Sequence, residues 1–528
     1  FFHPDPTVKR QSGFLKPEFN SSNNLGSSIY TPYFVAISDD NDLTIKPRFF
    51  DNNKFLLQNE YRQKTKNSFT IADFSLIKGH DSSKQDKGDS RSHIFTNTLV
   101  DLTLYNFEKS MLRINYQKTS NDNYLKLFDL QSPLITDDNS VLESKIELDL
   151  EHANYDLISS FEMYETLNGS NSDRYQYVLP NYNFSKNFYL ETVSGSFNFN
   201  SYGNNTLTDT NISKSILFND LNYSTLNTFF DNGIKTNFDI FLKNTNSVGK
   251  NNATYKNTPQ SELMSAYTYN ASLPLIKKNS KTFNTLEPKL SLRFSPHKMK
   301  NNADESRRVD INNIFASNRL SLDNSFEEGE SVTLGLNFKQ EKINKTNEVS
   351  KIEEYIDFKL ASVFRLKDEK NIPKNSTLGK KKSNIFGEFN FNPIKNITLG
   401  YNFSLTENLN TFEYNSLMTK IGFGNFSTQF NYLEERGVIG LTNIIENKTD
   451  YNFDDQSSIS FNTRRNRKLN LTEYYDLIYE YKNDCLVAGI KYKKNYYNDA
   501  DIKPIEELFF SITIIPLGTF SPTKIASK

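Results

Sequence analysis

The property that most constrains this chain is a two-residue period of hydrophobicity that recurs along most of its length. Ile397, Leu399, Tyr401, Phe403 and Leu405 share one face of an extended segment, with Thr398, Gly400, Asn402, Ser404 and Thr406 on the other. Val332, Leu334, Leu336 and Phe338 alternate in the same way with Thr333, Gly335, Asn337 and Lys339, and Phe238, Ile240 and Leu242 with Asn237 and Asp239. Near the end, Leu508, Phe510, Ile512 and Ile514 alternate with Phe509, Ser511, Thr513 and Ile515. Successive side chains of a strand point to opposite faces, so each segment reads as a strand with one greasy and one polar side. No 3.6-residue apolar period is sustained, so helices are expected to be minor.

Serial amphipathic strands fit either tandem soluble sandwiches or one large transmembrane barrel. Sandwiches would need a separate core every ~100 residues and linkers between them. No Pro- or Gly-rich linker recurs in the sequence. No run approaches the ~20 apolar residues of a transmembrane helix, but a barrel wall is polar at every second position and needs no such run. The connectors, such as the Asp-, Ser- and Lys-rich stretch from His80 to Ser92, have turn and loop composition. At roughly 20 residues per strand and connection, the chain predicts an all-β fold, a large closed antiparallel transmembrane β-barrel of about 26 strands. Its 43 Phe and 29 Tyr suit a lipid-facing band and interfacial girdles, although Trp, common in such girdles, is absent.

Other classes find little support. The 62 basic and 63 acidic residues are interspersed, with no basic stripe to follow a phosphate backbone, so no nucleic-acid partner is expected. Five scattered histidines and one cysteine give no metal-ligand spacing, and no cofactor is expected. No phosphate-loop, nucleophile-elbow or zinc-protease motif occurs, so no catalytic residue is assigned and no enzyme is expected. Asp454-Asp455 and Glu327-Glu328 read as solvated loop charges. The many N-x-S/T triplets follow from compositional bias toward Asn. The chain starts at Phe1, without a methionine or apolar leader, as a mature or truncated chain would.

Two strand-like runs near the start each carry a proline: Ser12-Gly13-Phe14-Leu15-Lys16-Pro17-Glu18-Phe19, and Ser28-Ile29-Tyr30-Thr31-Pro32-Tyr33-Phe34-Val35. Proline has no N–H for a sheet ladder and belongs at edges or bulges. The stretch from His3 to Leu15 resembles the start of the barrel in the LptD (OstA/Imp) family, lipopolysaccharide translocons of Gram-negative outer membranes. The likeness extends through Ser28 to Phe50 with Ile45-Lys46-Pro47, through Tyr177-Val178-Leu179-Pro180, Leu286-Glu287-Pro288 and Phe315-Ala316-Ser317-Asn318-Arg319 with Glu327 and Gly329. It is closest from Asn470 to Tyr492, at Asp501-Ile502-Lys503-Pro504 and in the last strand. After Asn318-Arg319 the chain departs from the family pattern, lacking its glycine and second arginine.

The resemblance implies that residues 1–11 end a linker from a missing N-terminal periplasmic jellyroll, 12–520 form the barrel and 521–528 a tail. It implies a lateral gate between first and last strands, at Phe14, Leu15, Pro17, Phe19 and Pro32 on one side and Phe510, Ile512 and Ile514 on the other. Gly13 to Phe19 is expected to face Leu508 to Ile515, with the prolines removing ladder donors so that the seam parts cheaply. Cys485, at Asp484-Cys485-Leu486, is implied to form a disulfide to the jellyroll. The implied function is receipt of lipopolysaccharide from a periplasmic bridge and its insertion into the outer leaflet. The implied partners are lipopolysaccharide, an LptE-type plug lipoprotein, an LptA-type jellyroll bridge, the barrel-assembly machinery and outer-membrane lipids. The rival readings are a porin or nutrient-uptake barrel without a gate, and an Asn-rich adhesin of soluble β-domains.

Overall fold

A computed structural model describes residues 11–514, apart from Lys16, Asn24, 52–53, 81–88, Gln131, 135–139, 168–172, Ser280, 347–348, Lys395, 484–485 and 497–503. Residues 1–10 and 515–528, and with them most of the expected linker and the tail, lie outside the described residues. Thirty strand segments form one antiparallel sheet in which neighbours in sequence are neighbours in space. Four pairs of segments are halves of interrupted strands, among them β1 (Gly13–Phe14) with β2 (Glu18–Ser22), and β3 (Gly26–Tyr30) with β4 (Tyr33–Ala36). The other two breaks separate Ile212–Ser224 from Thr228–Phe229 and Gln260–Ser272 from Leu275–Lys278. The wall therefore has 26 strands, and β2 pairs with the last strand, Glu506–Ile514, so the sheet is closed.

The alternation seen in the sequence becomes an inside-out protein. Phe74, Leu76, Ile94, Phe161, Leu292 and Leu334 are exposed on the outer face, while their neighbours Asp73, Ser75, His93, Ser291, Arg293 and Thr333 are buried inside. In water such a surface would be unstable; against lipid it is the expected arrangement. A chain of rings near one rim, Phe107–Tyr155–Phe184–Phe199, with centroids 6.2, 5.7 and 6.3 Å apart, forms part of an aromatic girdle without Trp. Among the described residues no helix is long and apolar enough to cross a membrane. The helical segments described are a single turn, Tyr124–Leu127, and a 3-10 turn, Lys374–Ser376.

The connections sort by rim. Every second one is short, and the alternate ones include 120–140, 296–328 and 366–384. Barrels of this class carry short turns on the periplasmic side and long loops outside, which fixes the orientation. The long loops fold inward. Tyr124, Leu125 and Phe128 pack on Leu25, Phe50 and Ile77 of the wall, and Met299, Ile314 and Leu322 pack on Val363 and Phe386.

The inward fold overturns the reading of Glu327 as a solvated charge. Its carboxylate is buried and clamped by Arg319, at 2.7 Å from Nε and 2.5 Å from Nη2, and by Arg365. Arg293 donates to the Glu327 and Ser317 carbonyls at 2.9 and 3.0 Å. Burial alone would raise the Glu327 carboxyl, but Arg319, Arg293 and Arg365 override it and hold it at about 2. Asp454 stays exposed and caps its turn, accepting from the Gln456 and Ser457 N–H groups at 2.8 and 2.6 Å.

Candidate functional site: the closing seam

The first strand meets the last over five residue pairs, from Glu18 opposite Ser511 to Ser22 opposite Glu507. This is the shortest ladder between neighbouring strands among the described residues; on its other side the last strand makes nine pairs with Leu486–Asn495. Below Pro17, toward the short-turn rim, β1 continues with β4 the pairing to the second strand that β2 makes with β3. Gly13 stands opposite Phe34 and Phe14 opposite Tyr33, and the Leu15 N–H donates to the Pro32 carbonyl at 2.8 Å. Among the described residues no rung joins Gly13–Phe14 to the last strand, and Ile512 and Ile514 pair only with Ala488 and Leu486.

Of the expected pairing, Glu18 and Phe19 are the residues of Gly13 to Phe19 that pair with the last strand among the described residues, and the pairing continues upward to Ser22. The strand is interrupted at Leu15–Pro17, where proline offers no N–H to a ladder. Phe19 and Phe510 face each other on the lipid side with ring centroids 6.5 Å apart. Phe14 lies lower, 73% exposed, its ring 5.0 Å from that of Tyr33 in an edge contact. The structure thus brings Phe19 and Phe510 together across the seam, and Phe14, Leu15 and Pro32 together beside it. The side chains of Ile512 and Ile514, and the whole of Cys485, lie outside the described residues.

Three site features were missed in the sequence. Pro47, in Asn41–Phe50, is a third proline beside the other two: Tyr30 pairs with Arg48 and Tyr33 with Ile45, so Thr31-Pro32 lies against Lys46-Pro47. The even spacing of Pro17, Pro32 and Pro47 was the available signal. The three form a crease across three adjacent strands, above which β2 and β3 pair and below which β1 and β4 pair. Asn23, at the turn above the seam, donates to the Pro504 carbonyl at 2.9 Å and accepts from the Glu506 N–H at 3.3 Å, clamping the outer end. Arg48 ties the inner face to the long-loop cap, donating to Ser28 Oγ at 3.0 Å and to the Phe128 carbonyl at 2.8 Å. These contacts depend on turns and loops brought together by closure, which local pattern does not encode.

Under the same cap, Asp73, His93 and Ser75 line up with Tyr124. His93 Nε2 is 3.3 Å from Asp73, and Ser75 Oγ is 2.6 Å from both His93 Nδ1 and Tyr124 Oη. All four side chains are buried, and the serine hydroxyl is taken up by the tyrosine. The row is a polar footing that fixes Tyr124 and the helical turn to the wall.

A closed 26-strand wall, greasy outside and polar inside, defines an integral β-barrel of the bacterial outer membrane. The model of the LptD family, LPS transport system D, matches residues 91–456, and the chain belongs to that family. The LPS-assembly protein LptD of Nitrosococcus oceani is 26% identical over 171 residues, 31% of this chain and 21% of that protein. That of Pseudomonas aeruginosa strain UCBPP-PA14 is 31% identical over 77 residues, 15% of this chain and 8% of that one. The matched part of the chain thus spans about a fifth or less of these curated relatives' length. Among solved structures, the FrpB iron transporter of Neisseria meningitidis aligns with 96% of this chain and 81% of its own, at TM-score 0.34 and 7% identity. The siderophore receptor PirA of Acinetobacter baumannii covers the same shares at TM-score 0.31 and 9% identity. Likeness at that level says nothing about cargo.

Proposed function

We propose that this barrel receives lipopolysaccharide from the periplasmic side and releases it sideways into the outer leaflet through the seam between its first and last strands. The observation that carries the reading is the five-rung ladder, with no rung from the last strand to β1 among the described residues. At about 0.5–1.5 kcal/mol net per hydrogen bond, four fewer rungs than on the other flank of the last strand lower cohesion by roughly 2–6 kcal/mol. A cargo with a sugar head and acyl tails needs a wet lumen and an exit to lipid at once, and a side opening offers both. In hydrocarbon each exposed backbone group costs several kcal/mol, so a seam that must part is best built with few donors to expose.

The same reading takes residues 1–11 as the end of a linker from a periplasmic jellyroll, with Cys485 bonded to that domain in an oxidising compartment. In sequence Cys485 falls between Leu471–Lys482 and Leu486–Asn495, whose adjoining ends lie on the short-turn rim, the side such a domain would occupy. An LptE-type plug, an LptA-type bridge and the barrel-assembly machinery complete the proposed set of partners. Faster migration of the full-length protein before reduction than after is expected for the disulfide, and equal mobility would count against it.

The seam is tested by stitching it. Ser21→Cys with Leu508→Cys places two thiols directly opposite on the lipid face. Oxidation should halt delivery of lipopolysaccharide to the cell surface, and reduction should restore it. Unchanged delivery with the stitch in place would leave only an ordinary pore.

A further inference from the structure

We infer that the short-turn rim carries a docking edge for a periplasmic protein, which adds an extended, acidic segment as one more strand beside Leu275–Lys278.

The edge is built by a difference in strand length. The strand Gln260–Ser272 runs on past Leu273-Pro274 into Leu275–Lys278 without a change of register against Thr282–Ser295: Ser272 is opposite Lys289, and Leu275 is opposite Leu286. On its other side Ser272 is opposite Lys235, where the strand Lys235–Lys250 begins. Among the described residues nothing pairs with that side of Leu275–Lys278. Thr282–Ser295 is backed in turn by Gly329–Thr346, whose hairpin with Val349–Arg365 continues to Thr346 opposite Val349. The edge thus belongs to a sheet of several strands.

The ladder fixes which backbone groups are open. The Leu273 N–H donates to the Pro288 carbonyl at 3.2 Å, and the Asn279 N–H to the Thr282 carbonyl at 2.8 Å. Bonded and non-bonded residues alternate in an antiparallel pair, so Leu275 and Lys277 also turn toward Thr282–Ser295, while Pro274, Ile276 and Lys278 turn outward. Pro274 sits where a missing N–H costs no rung, as on an edge strand. Ile276 and Lys278 present both N–H and C=O to the open side.

This edge stands in water. On the outer face Leu275, Leu286 and Phe338 form an apolar row; two residues further toward the rim the row is Lys277, Asn284 and Gln340, with Gln340 donating to Asn284 at 2.8 Å. An open sheet edge outside the hydrocarbon is a template for another strand. Its charge selects the partner. All four side chains are exposed, Ile276 at 63%, and no ion pair to Lys277 or Lys278 occurs among the described residues. A second copy of the edge would bring lysine against lysine, which disfavours pairing. Anionic headgroups would meet the lysines but not the Ile276 backbone. A strand with carboxylates opposite Lys277 and Lys278 and an apolar residue opposite Ile276 meets both.

The test uses the full chain in nanodiscs of zwitterionic lipid, with labelled short peptides of alternating valine and glutamate or of alternating valine and lysine, followed by fluorescence anisotropy. The glutamate peptide should bind at least about tenfold more tightly than the lysine peptide. On binding, amide exchange should slow at Ile276 and Lys278 and stay unchanged at Leu275 and Lys277, which the ladder already holds. Ile276→Pro removes the outward N–H without breaking a rung and should weaken the glutamate peptide at least about tenfold. Lys277→Glu with Lys278→Glu should reverse the preference between the peptides. Equal binding of the two peptides, or binding that leaves exchange at Ile276 and Lys278 unchanged, overturns the docking edge. Acylation of Lys277 and Lys278 blocked by phosphatidylglycerol in the nanodisc but not by the glutamate peptide would assign the lysines to lipid headgroups, and overturns it as well.

Discussion

Phe14 stands opposite Tyr33 of the second strand, its ring edge-on at 5.0 Å. Four residues further on, Glu18 is opposite Ser511. Above Pro17 the first strand pairs with both neighbours, the last strand and β3; below it, among the described residues, only the pairing with the second strand continues, through β4. The lower segments β1 and β4 form a small panel below the proline crease.

Restoring the donor at the crease should stiffen the panel. Pro17→Ala is expected to strengthen the seam by up to about 0.5–1.5 kcal/mol and to slow delivery of lipopolysaccharide to the surface, read by surface labelling after a pulse. Crosslinking yield between Ser21 and Leu508 positions should rise in parallel. If neither changes, the proline only shapes the wall.

Asn23 closes the outer end of the seam through two side-chain hydrogen bonds to the segment at Pro504–Glu506, beside one from its backbone N–H to the Glu506 carbonyl. Asn23→Ala should cost about 1–3 kcal/mol locally, because the backbone groups it served lose their partner. Amide exchange at Glu506 and Glu507 should speed up while exchange in Leu486–Asn495 stays slow. Uniform acceleration along both strands would mean that the clamp supports the whole wall instead.

Glu327 neutralises part of a three-arginine cluster, so Glu327→Gln leaves buried positive charge without its counter-charge. The expected loss is about 3–5 kcal/mol, seen as protease sensitivity of the connection 296–328. The pH dependence follows from the same contacts. With the folded carboxyl held at about 2, below its usual value of ~4.3, its stabilisation is complete above that usual value and fades as pH falls through 2. Protease resistance should be the same at pH 7 and pH 5 and collapse near pH 2, and the Gln variant should lack that step.

Lys243 is fully buried in the wall, 2.9 Å from Asp220, and its ammonium lies 5.6 to 5.9 Å from the ring centres of Tyr202, Phe218 and Phe326. Phe326 belongs to the inward-folded connection, so this cation pins loop to wall. Lys243→Met should destabilise by about 3–5 kcal/mol by stranding Asp220, and adding Asp220→Leu should recover most of it. The temperature at which folded-barrel mobility is lost on gels reads both. A double variant as weak as the single one would show that the cation–ring contacts matter more than the charge pair.

Strands such as Ile397–Leu405 and Glu506–Ile514 were legible because alternation is local: each residue's face follows from its neighbours. Pro17 and Pro32 were legible as breaks for the same reason, since a missing N–H is a property of one residue. What the breaks do was not, because the partner of Phe14 is decided by a strand 20 residues away and by closure of the whole cylinder. Glu327 was misread because a pair of acids in a polar stretch looks solvated until Arg319, Arg293 and Arg365 arrive from three separate segments. Asn23 gave no signal at all. In a chain so rich in asparagine, only geometry separates a clamp from background.

The even strand number has a consequence for how the molecule comes together. Every junction in the wall but one joins strands that follow one another in the chain, across a turn or a longer loop, so each can form as soon as its own residues are available. The exception joins Asn23 to Pro504, 481 positions apart, and must wait for all the others. Whatever fills the interior, the protein's own inward loops included, is thus enclosed at that final moment, at the joint with the shortest ladder among the described residues.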